Sequence, residues 1–370
     1  MPLQFSIADC VVLAEAGQTM EGSIERAMEM ARSAADAGCW GFKTQLLQPE
    51  KIAAPGAQKY WEDDFGTADQ REAFAAAGVI DYGAWREVAQ ECKTLGLKFV
   101  ATPFDLEAVQ VLAPYVDLFK IASGDITFRR LIEAVAAHEK PVLLSTGASE
   151  ADEVGRAYET FEQAGCPTVL LACSLVYPCP VEEANLARIG HLKALSGGEV
   201  GYSDHTLGMV TSVAAAAAGA VVCEKHYTYA GRHHGQVADH AMALDPEGMA
   251  EYVGWAHYGA QLRGRPHLTV TPSEGKAKIG ARRAVRAARN LPVGHVLREE
   301  DLIELRPYNP GRPSDPWRWG QLVGRELAAP VAEGEPFILC HVPAPPPEEI
   351  TIECEPEELE IVHPETGVRI

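Results

Sequence analysis

"VGYSDHT" (residues 200–206) and "AVVCEKHYT" (220–228) decide the reading of this chain. Each is a short apolar run that stops abruptly in polar, hydrogen-bonding residues. Six more such runs precede them: "VVLAEAG" (11–17), "GFKTQ" (41–45), "KFVATPFD" (98–105), "LFKIASGD" (118–125), "PVLLSTGAS" (141–149) and "TVLLACSLVYP" (168–178). Helix-period stretches lie between them, such as "IERAMEMARSAADAG" (24–38), "YGAWREVAQECKTLG" (82–96) and "LIEAVAAHEK" (131–140). Near-continuous apolar strands alternating with helices predict parallel strands buried on both faces. Eight such units predict an α/β fold of the (β/α)₈ TIM-barrel type. The main irregularity is residues 46–81, a long insertion after the second strand that is placed to lie over the barrel mouth.

The chain of 370 residues exceeds the roughly 250 of a bare barrel, which leaves room for a second module. The expected division is a barrel over 1–270, a linker over 271–282 and a small, turn-rich β module over 283–340. A Pro-rich linker and an acidic tail follow over 341–370, the tail either a β-hairpin or a solvated extension. The net charge of −20 argues against nucleic acid or anionic membranes as partners. An anion handled by so acidic a protein needs a local nest of cations and hydroxyls. The nine cysteines show no metal-type pairing and read as buried thiols in a reducing compartment. With no signal-like N-terminus and no apolar span of membrane length, a cytoplasmic location is expected.

Catalytic groups of such barrels gather where strands end and loops begin. Those ends carry Glu15, Lys43 with Gln45, Thr102, Lys120 with Ser123 and Asp125, Ser145, Ser174 with Tyr177, Ser203 with His205, and Glu224 with His226. Any one of these serines could be a helix cap. Eight polar strand ends with two lysines and two histidines exceed what capping requires. Lys43 and Lys120 with the hydroxyls of Thr102, Ser123, Ser145 and Ser203 form a ring suited to a phosphorylated, carboxylated small anion. His205 and His226 end adjacent strands, so their imidazoles can share a divalent metal while leaving room for water and a substrate carbonyl. "GRHHGQVADHAM" (231–242) adds His233, His234, Asp239 and His240 on the next loop. Asp239 reads as a group near substrate, and the His-His pair equally as a solvated loop.

The stretches "LAEAG" (13–17), "KTQ" (43–45), "TPFD" (102–105), "KIASGD" (120–125), "LLSTGAS" (143–149), "CSLVYP" (173–178), "VGYSDHT" and "CEKHYT" (223–228) together resemble the sialic acid synthase family. That family includes N-acetylneuraminate synthases and their pseudaminic, legionaminic and spore-coat relatives. "RRAVRAARNLPVGHVLREEDLIELRP" (282–307) resembles the family's antifreeze-like SAF domain, so the resemblance covers about 8–340. It implies a metal-dependent condensation of phosphoenolpyruvate with an open-chain aldose, giving phosphate and a 2-keto-3-deoxy sugar acid. Lys43, Thr102, Lys120, Ser123, Ser145 and Ser203 match phosphoenolpyruvate contacts. His205 and His226 match ligands of the metal, usually Mn²⁺, with Mg²⁺ or Co²⁺ as alternatives. Glu15 and Asp239 match catalytic groups near the reacting carbons. Gln45, Asp125, Tyr177, Glu224 and Arg306 match the acceptor side. Arg306 matches an arginine that the SAF domain of a partner subunit inserts, which implies a domain-swapped homodimer.

The chain departs from the family at the acceptor end. Thr19 and Met20 stand where relatives have Asn-His, and Leu175 stands where a polar residue is common. Two other readings use the same barrel: metal-assisted hydrolysis by the histidine pair, or sugar binding without catalysis.

Overall fold

The computed structural model describes residues 10–61, 67–229, 237–308 and 314–342. Eight parallel strands, β1 Val11–Gly17, β2 Gly41–Leu46, β3 Lys98–Pro103, β4 Leu118–Ile121, β5 Val142–Ser145, β6 Thr168–Cys173, β7 Val200–Asp204 and β8 Val222–His226, close into one barrel in chain order. Closure is made where β1 pairs with β8, Glu15 standing opposite His226. Helices α1 Ile24–Asp36, α2 Pro49–Ile52, α3 Gln70–Ala76, α4 Trp85–Leu95, α5 Leu106–Leu112, α6 Arg129–Ala136, α7 Ala151–Gln163, α8 Arg188–Ser196, α9 Val210–Ala218 and α10 Pro246–Arg263 follow the strands. Helix starts are written in the sequence. Ser23 accepts from the Arg26 N–H to begin α1, and Asp105 accepts from the Ala108 N–H to begin α5. Short helices α2 and α3 belong to the insertion after β2.

The strands' period of two builds the interior in layers. Leu13, Val100, Leu118, Leu143, Leu171 and Val222 pack together inside the barrel. Two residues further along the same strands stand Glu15, Thr102, Lys120, Ser145, Cys173 and Glu224, all lining one cavity. The apolar layer closes the lower barrel and the polar layer floors the site. Gly201 belongs to the lower layer: a Cβ there would sit 2.5 Å from side-chain carbons of both Leu171 and Val222. Only a residue without a side chain lets β7 approach its neighbours at that point.

Residues 1–265 and 266–370 form two compact units. In the second, the segment 271–282 read as a linker contains helix α11 Gly275–Ala281. Strands β9 Ala284–Ala287 and β10 Leu302–Leu305 pair antiparallel, and helix α12 Trp319–Leu322 follows. Val285, Leu291, Leu297, Leu327, Val331 and Phe337 make this unit's own core. Buried Asp301 accepts from Arg289, from His295 and from the Arg298 N–H, which ties the start of β10 down. Tail residues 343–370, including the expected hairpin, lie outside the described residues, as do His233 and His234. No helix among the described residues is long and apolar enough to cross a membrane.

Candidate active site

One cavity of about 710 Å³ opens at the carboxyl ends of the strands. Glu15, Lys43, Gln45, Thr102, Lys120, Ser123, Asp125 and Ser145 line it from the first five strands and their loops. Tyr177, Ser203, His205, Glu224, His226 and Asp239 line it from the remaining three. Every described strand-end and loop residue of the barrel singled out for chemistry above, except Ser174 and His240, therefore reaches the same space. Ser174 is spent on structure: its hydroxyl donates to the Glu183 carbonyl at 2.6 Å. His240 shares a 2.9 Å hydrogen bond with Thr228. Arg306 belongs to the second unit, exposed just after β10. There the buried Arg286 guanidinium donates to the carbonyls of Leu305 and Pro307, so the backbone on both sides of Arg306 is held.

Two lysines and two carboxylates interlock at the cavity floor. Lys43 donates to Glu15, and its ammonium lies 3.6 Å from Glu224. Lys120 lies 3.4 Å from Glu224, which also accepts from Ser203 at 3.2 Å. Gln45 donates to the other oxygen of Glu15 at 2.7 Å. Burial pulls at Lys43, but Glu15 and Glu224 outweigh it and hold the ammonium protonated. Burial also opposes the charge on Glu224; Lys120 and then Lys43 overcome it and hold the carboxyl at about 2. Lys120 is pulled below its ordinary value, chiefly by burial. Burial pushes Glu15 up. Such buried charges tolerate their surroundings only as a set.

The hydroxyls are not equivalent. Ser145 Oγ is buried without a hydrogen-bond partner among the described residues. Ser123 Oγ instead accepts from the Gly147 N–H at 2.9 Å, which aims its own proton elsewhere. Asp125 Oδ2 is also buried and unpartnered among the described residues, and burial pushes its carboxyl up to about 7.

The imidazoles of His205 and His226 stand 5.4 Å apart between ring centres. His205 Nδ1 lies 2.7 Å from the Ser174 carbonyl, which can only accept; Nδ1 therefore carries the proton and Nε2 the lone pair of the neutral ring. His226 is held well below its ordinary value, first by burial and then by His205 and Lys43, so it is neutral. Its Nδ1 makes no hydrogen bond among the described residues and lies 3.6 Å from Asp239 Oδ2. Among the described residues no cluster of three or more His, Cys, Asp or Glu assembles as a metal site; the imidazoles form a pair.

An outward-facing network fixes that pair. Asp204 and Lys225 each immediately precede one of the histidines, are fully buried, and lie 3.3 Å apart on the helix side of the sheet. Asp204 accepts from the Thr206 N–H, the Thr211 hydroxyl and the Tyr252 hydroxyl, while Lys225 donates to the Thr206 carbonyl. The backbone on either side of His205 is thus tied. This support was missed in the sequence, although a charged residue between two inward-facing ones on a buried strand is a signal for it.

Thr19 and Met20 do not line the cavity. Thr19 is buried, its hydroxyl 2.7 Å from the carbonyls of both Ala16 and Tyr227, and it ties β1 to the end of β8. Met20 lies in the core. Leu175 does line the cavity, and so do Tyr60, Trp61 and Phe74 from the insertion after β2, which sequence reasoning had not singled out.

A closed barrel whose mouth gathers buried lysines, carboxylates and two imidazoles defines an enzyme of the TIM-barrel class. The NeuB family profile matches residues 30–266 and the SAF domain profile residues 282–337. The chain belongs to the NeuB family, and with it to the phosphoenolpyruvate-dependent condensing transferases. An uncharacterised protein of Methanocaldococcus jannaschii is 35% identical over 298 residues, spanning 80% of this chain and 84% of its own length. The N,N'-diacetyllegionaminic acid synthase of Campylobacter jejuni is 30% identical over 305 residues, spanning 81% and 91%. A crystal structure of the N-acetylneuraminic acid synthetase of Leptospira borgpetersenii with citrate superposes with a TM-score of 0.66 at 28% identity, spanning 73% of this chain and 90% of that one.

Proposed function

We propose that this chain condenses phosphoenolpyruvate with the open-chain aldehyde of an N-acylated aldose, releasing phosphate and forming a 2-keto-3-deoxy sugar acid. The observation that carries this reading is the floor of the cavity, where Lys43 and Lys120, each 3% exposed or less, meet Ser145 and Ser203. Buried cations beside hydroxyls suit an anion bearing both phosphate and carboxylate. Hydrolysis of a neutral substrate would leave those lysines without a purpose, and a binding protein would not need a buried carboxylate beside them.

Lys43, Lys120, Thr102, Ser123, Ser145 and Ser203 hold phosphoenolpyruvate. Their charge is balanced by Glu15 and Glu224 until the substrate arrives. The enol carbon of phosphoenolpyruvate attacks the aldehyde carbon, the aldehyde oxygen takes up a proton, and positive charge develops at the carbon bearing the phosphate ester. Glu15 faces that charge and orients the water that adds there; the carbon–oxygen bond to phosphate then breaks. Holding both substrates face to face supplies much of the rate. His205 through Nε2 and His226 present imidazole nitrogens suited to a divalent ion, Mn²⁺ first, with Asp239 beside them. Such an ion supplies Lewis-acid polarisation of the aldehyde oxygen. Gln45, Asp125, Tyr177 and Asp239 orient the acceptor. Arg306 is assigned to the acceptor of a partner subunit in a swapped homodimer, and the protein to the cytoplasm.

Phosphoenolpyruvate consumption across an aldose panel, with Mn²⁺ and with chelator, tests the reading. Activity should require an aldose and the ion, and His205→Ala or His226→Ala should abolish it with the circular dichroism spectrum unchanged. Near-normal turnover of either variant in chelator would remove the metal assignment. Phosphate release from phosphoenolpyruvate without any acceptor would remove the condensation.

A further inference from the structure

Two neighbours in one short turn go separate ways. In the 3₁₀ turn Ala238–Ala241, Asp239 lines the cavity, whereas His240 is 2% exposed and does not. Asp239 Oδ2 lies 3.6 Å from His226 Nδ1 and accepts from the Gln18 N–H at 3.3 Å. The aim of that carboxylate depends on whatever fixes the turn. The backbone contributes the N–H groups of Met242 and Ala243, which donate to the Asp239 carbonyl at 3.3 and 3.1 Å. The His240 ring contributes more. Its Nδ1 lies 2.9 Å from the hydroxyl of Thr228, just past the end of β8, and its Nε2 lies 3.3 Å from Glu21 Oε1, on the loop after β1. A carboxylate only accepts, so Nε2 carries the proton, and in the neutral ring Nδ1 accepts from the Thr228 hydroxyl. One imidazole thus joins the loops that follow β8 and β1, across the seam where the barrel closes.

Glu21 is held ready to receive that ring. It stands at φ +49°, a left-handed conformation that a residue with a side chain keeps only where its surroundings impose it. Here the Glu21 N–H donates to the Gln18 carbonyl at 2.9 Å, and the Arg26 guanidinium donates to the second carboxylate oxygen at 2.9 Å. Arg26 in turn donates to the Met20 carbonyl at 3.0 Å and lies 4.7 Å over the Tyr229 ring. Gln18, which meets Asp239, and Glu21, which meets His240, therefore belong to one hydrogen-bonded loop. The same loop grips both neighbours of the turn.

Resting on the place of Asp239 in the condensation proposed above, we propose that His240 is a positioning residue for it. By bridging Thr228 and Glu21, His240 holds the turn so that the Asp239 carboxylate stands beside His226 and faces the acceptor; His240 itself does not touch substrate. A buried imidazole that merely filled space would need neither bond to a separate loop. Here both ring nitrogens are engaged, and the loop they reach is the one that also donates to Asp239.

Steady-state kinetics with phosphoenolpyruvate and an accepted aldose show where the loss falls. His240→Ala should lower kcat about tenfold or more while the KM for phosphoenolpyruvate stays within about twofold, because the lysine floor stands on other strands. His240→Gln, which keeps an N–H for Glu21, should recover most of that loss. Glu21→Ala, at a side chain 19% exposed, should lower kcat in the same way and carries the test if His240→Ala does not fold. Added to Asp239→Ala, His240→Ala should cost nothing further. A second loss of equal size in that background overturns the proposal, since His240 would then act by another route. A loss carried by the KM for phosphoenolpyruvate, or an unchanged kcat, overturns it as well. If no aldose is turned over, the condensation reading fails on its own; if Asp239→Ala keeps full activity, the role of Asp239 fails. Hydrogen exchange of the full chain then decides about the clamp. The Met242 and Ala243 amides should exchange about tenfold faster in His240→Ala and near the wild-type rate in His240→Gln. Exchange that His240→Ala leaves unchanged overturns the clamp.

Discussion

Asp125 is the clearest case of a residue whose chemistry is set by its place. Its sequence neighbours promise an ordinary carboxylate, yet burial with one oxygen unpartnered among the described residues brings it to about 7. A neutral carboxyl can donate a hydrogen bond to an acceptor oxygen, and it loses that ability as the pH rises through 7. The expected outcome is a kcat/KM for the acceptor that falls above neutrality. Asp125→Asn, which keeps an N–H donor at every pH, should flatten that limb while retaining a substantial share of the activity. A profile that keeps its limb in the variant assigns the titration to another group. Lys43 and Glu15 follow the same logic of place: each is unfavourable alone in a buried floor, and each is acceptable beside the other.

Single elements carry geometry that no one side chain supplies. The end of β1 turns through Gly17 at φ +54°, a left-handed conformation, and a Cβ there would come within 2.3 Å of Asp239 Oδ2. The neighbouring Gln18 N–H donates to that same oxygen at 3.3 Å. The turn therefore seats Asp239 beside His226. Gly17→Ala should cost about 1–2 kcal/mol of stability from the backbone alone. It should also lower kcat more than it raises the KM for phosphoenolpyruvate, because it displaces Asp239 and leaves the lysine floor in place. Thermal unfolding with steady-state kinetics measures both; a loss confined to stability would remove Asp239 from the reaction. On β7 and β8 the Asp204–Lys225 pair does comparable service from behind, holding the strand ends that carry the histidines.

At the scale of the whole molecule, a second unit with its own core carries Arg306, and Arg286 fastens the chain on both sides of it. If Arg306 completes the mouth of a partner in a two-fold dimer, two inactive variants can complement each other. Mixing His205→Ala with Arg306→Ala under subunit exchange should restore roughly a quarter of wild-type activity, since half the dimers are then mixed and each has one intact mouth. A mixture that stays inactive despite verified exchange, or a protein that sediments as a monomer, rules out the swapped arrangement.

Strand and helix order, the barrel and the polar strand ends were legible in the sequence because they depend on local periodicity: a residue two positions beyond an inward leucine or valine also points inward. From that rule alone Glu15, Thr102, Lys120, Ser145 and Glu224 could be placed at one mouth. Tertiary structure decided what periodicity cannot express. It buried Thr19 as a tie between β1 and the end of β8 and Met20 in the core, though both had been read as a change at the acceptor end. It gave Tyr60, Trp61 and Phe74 a common surface with Tyr177, although these residues lie far apart in the chain and share no repeat. It also set the protonation of Asp125 and Glu224, because desolvation and the sum of neighbouring charges exist only once distant strands have closed around them.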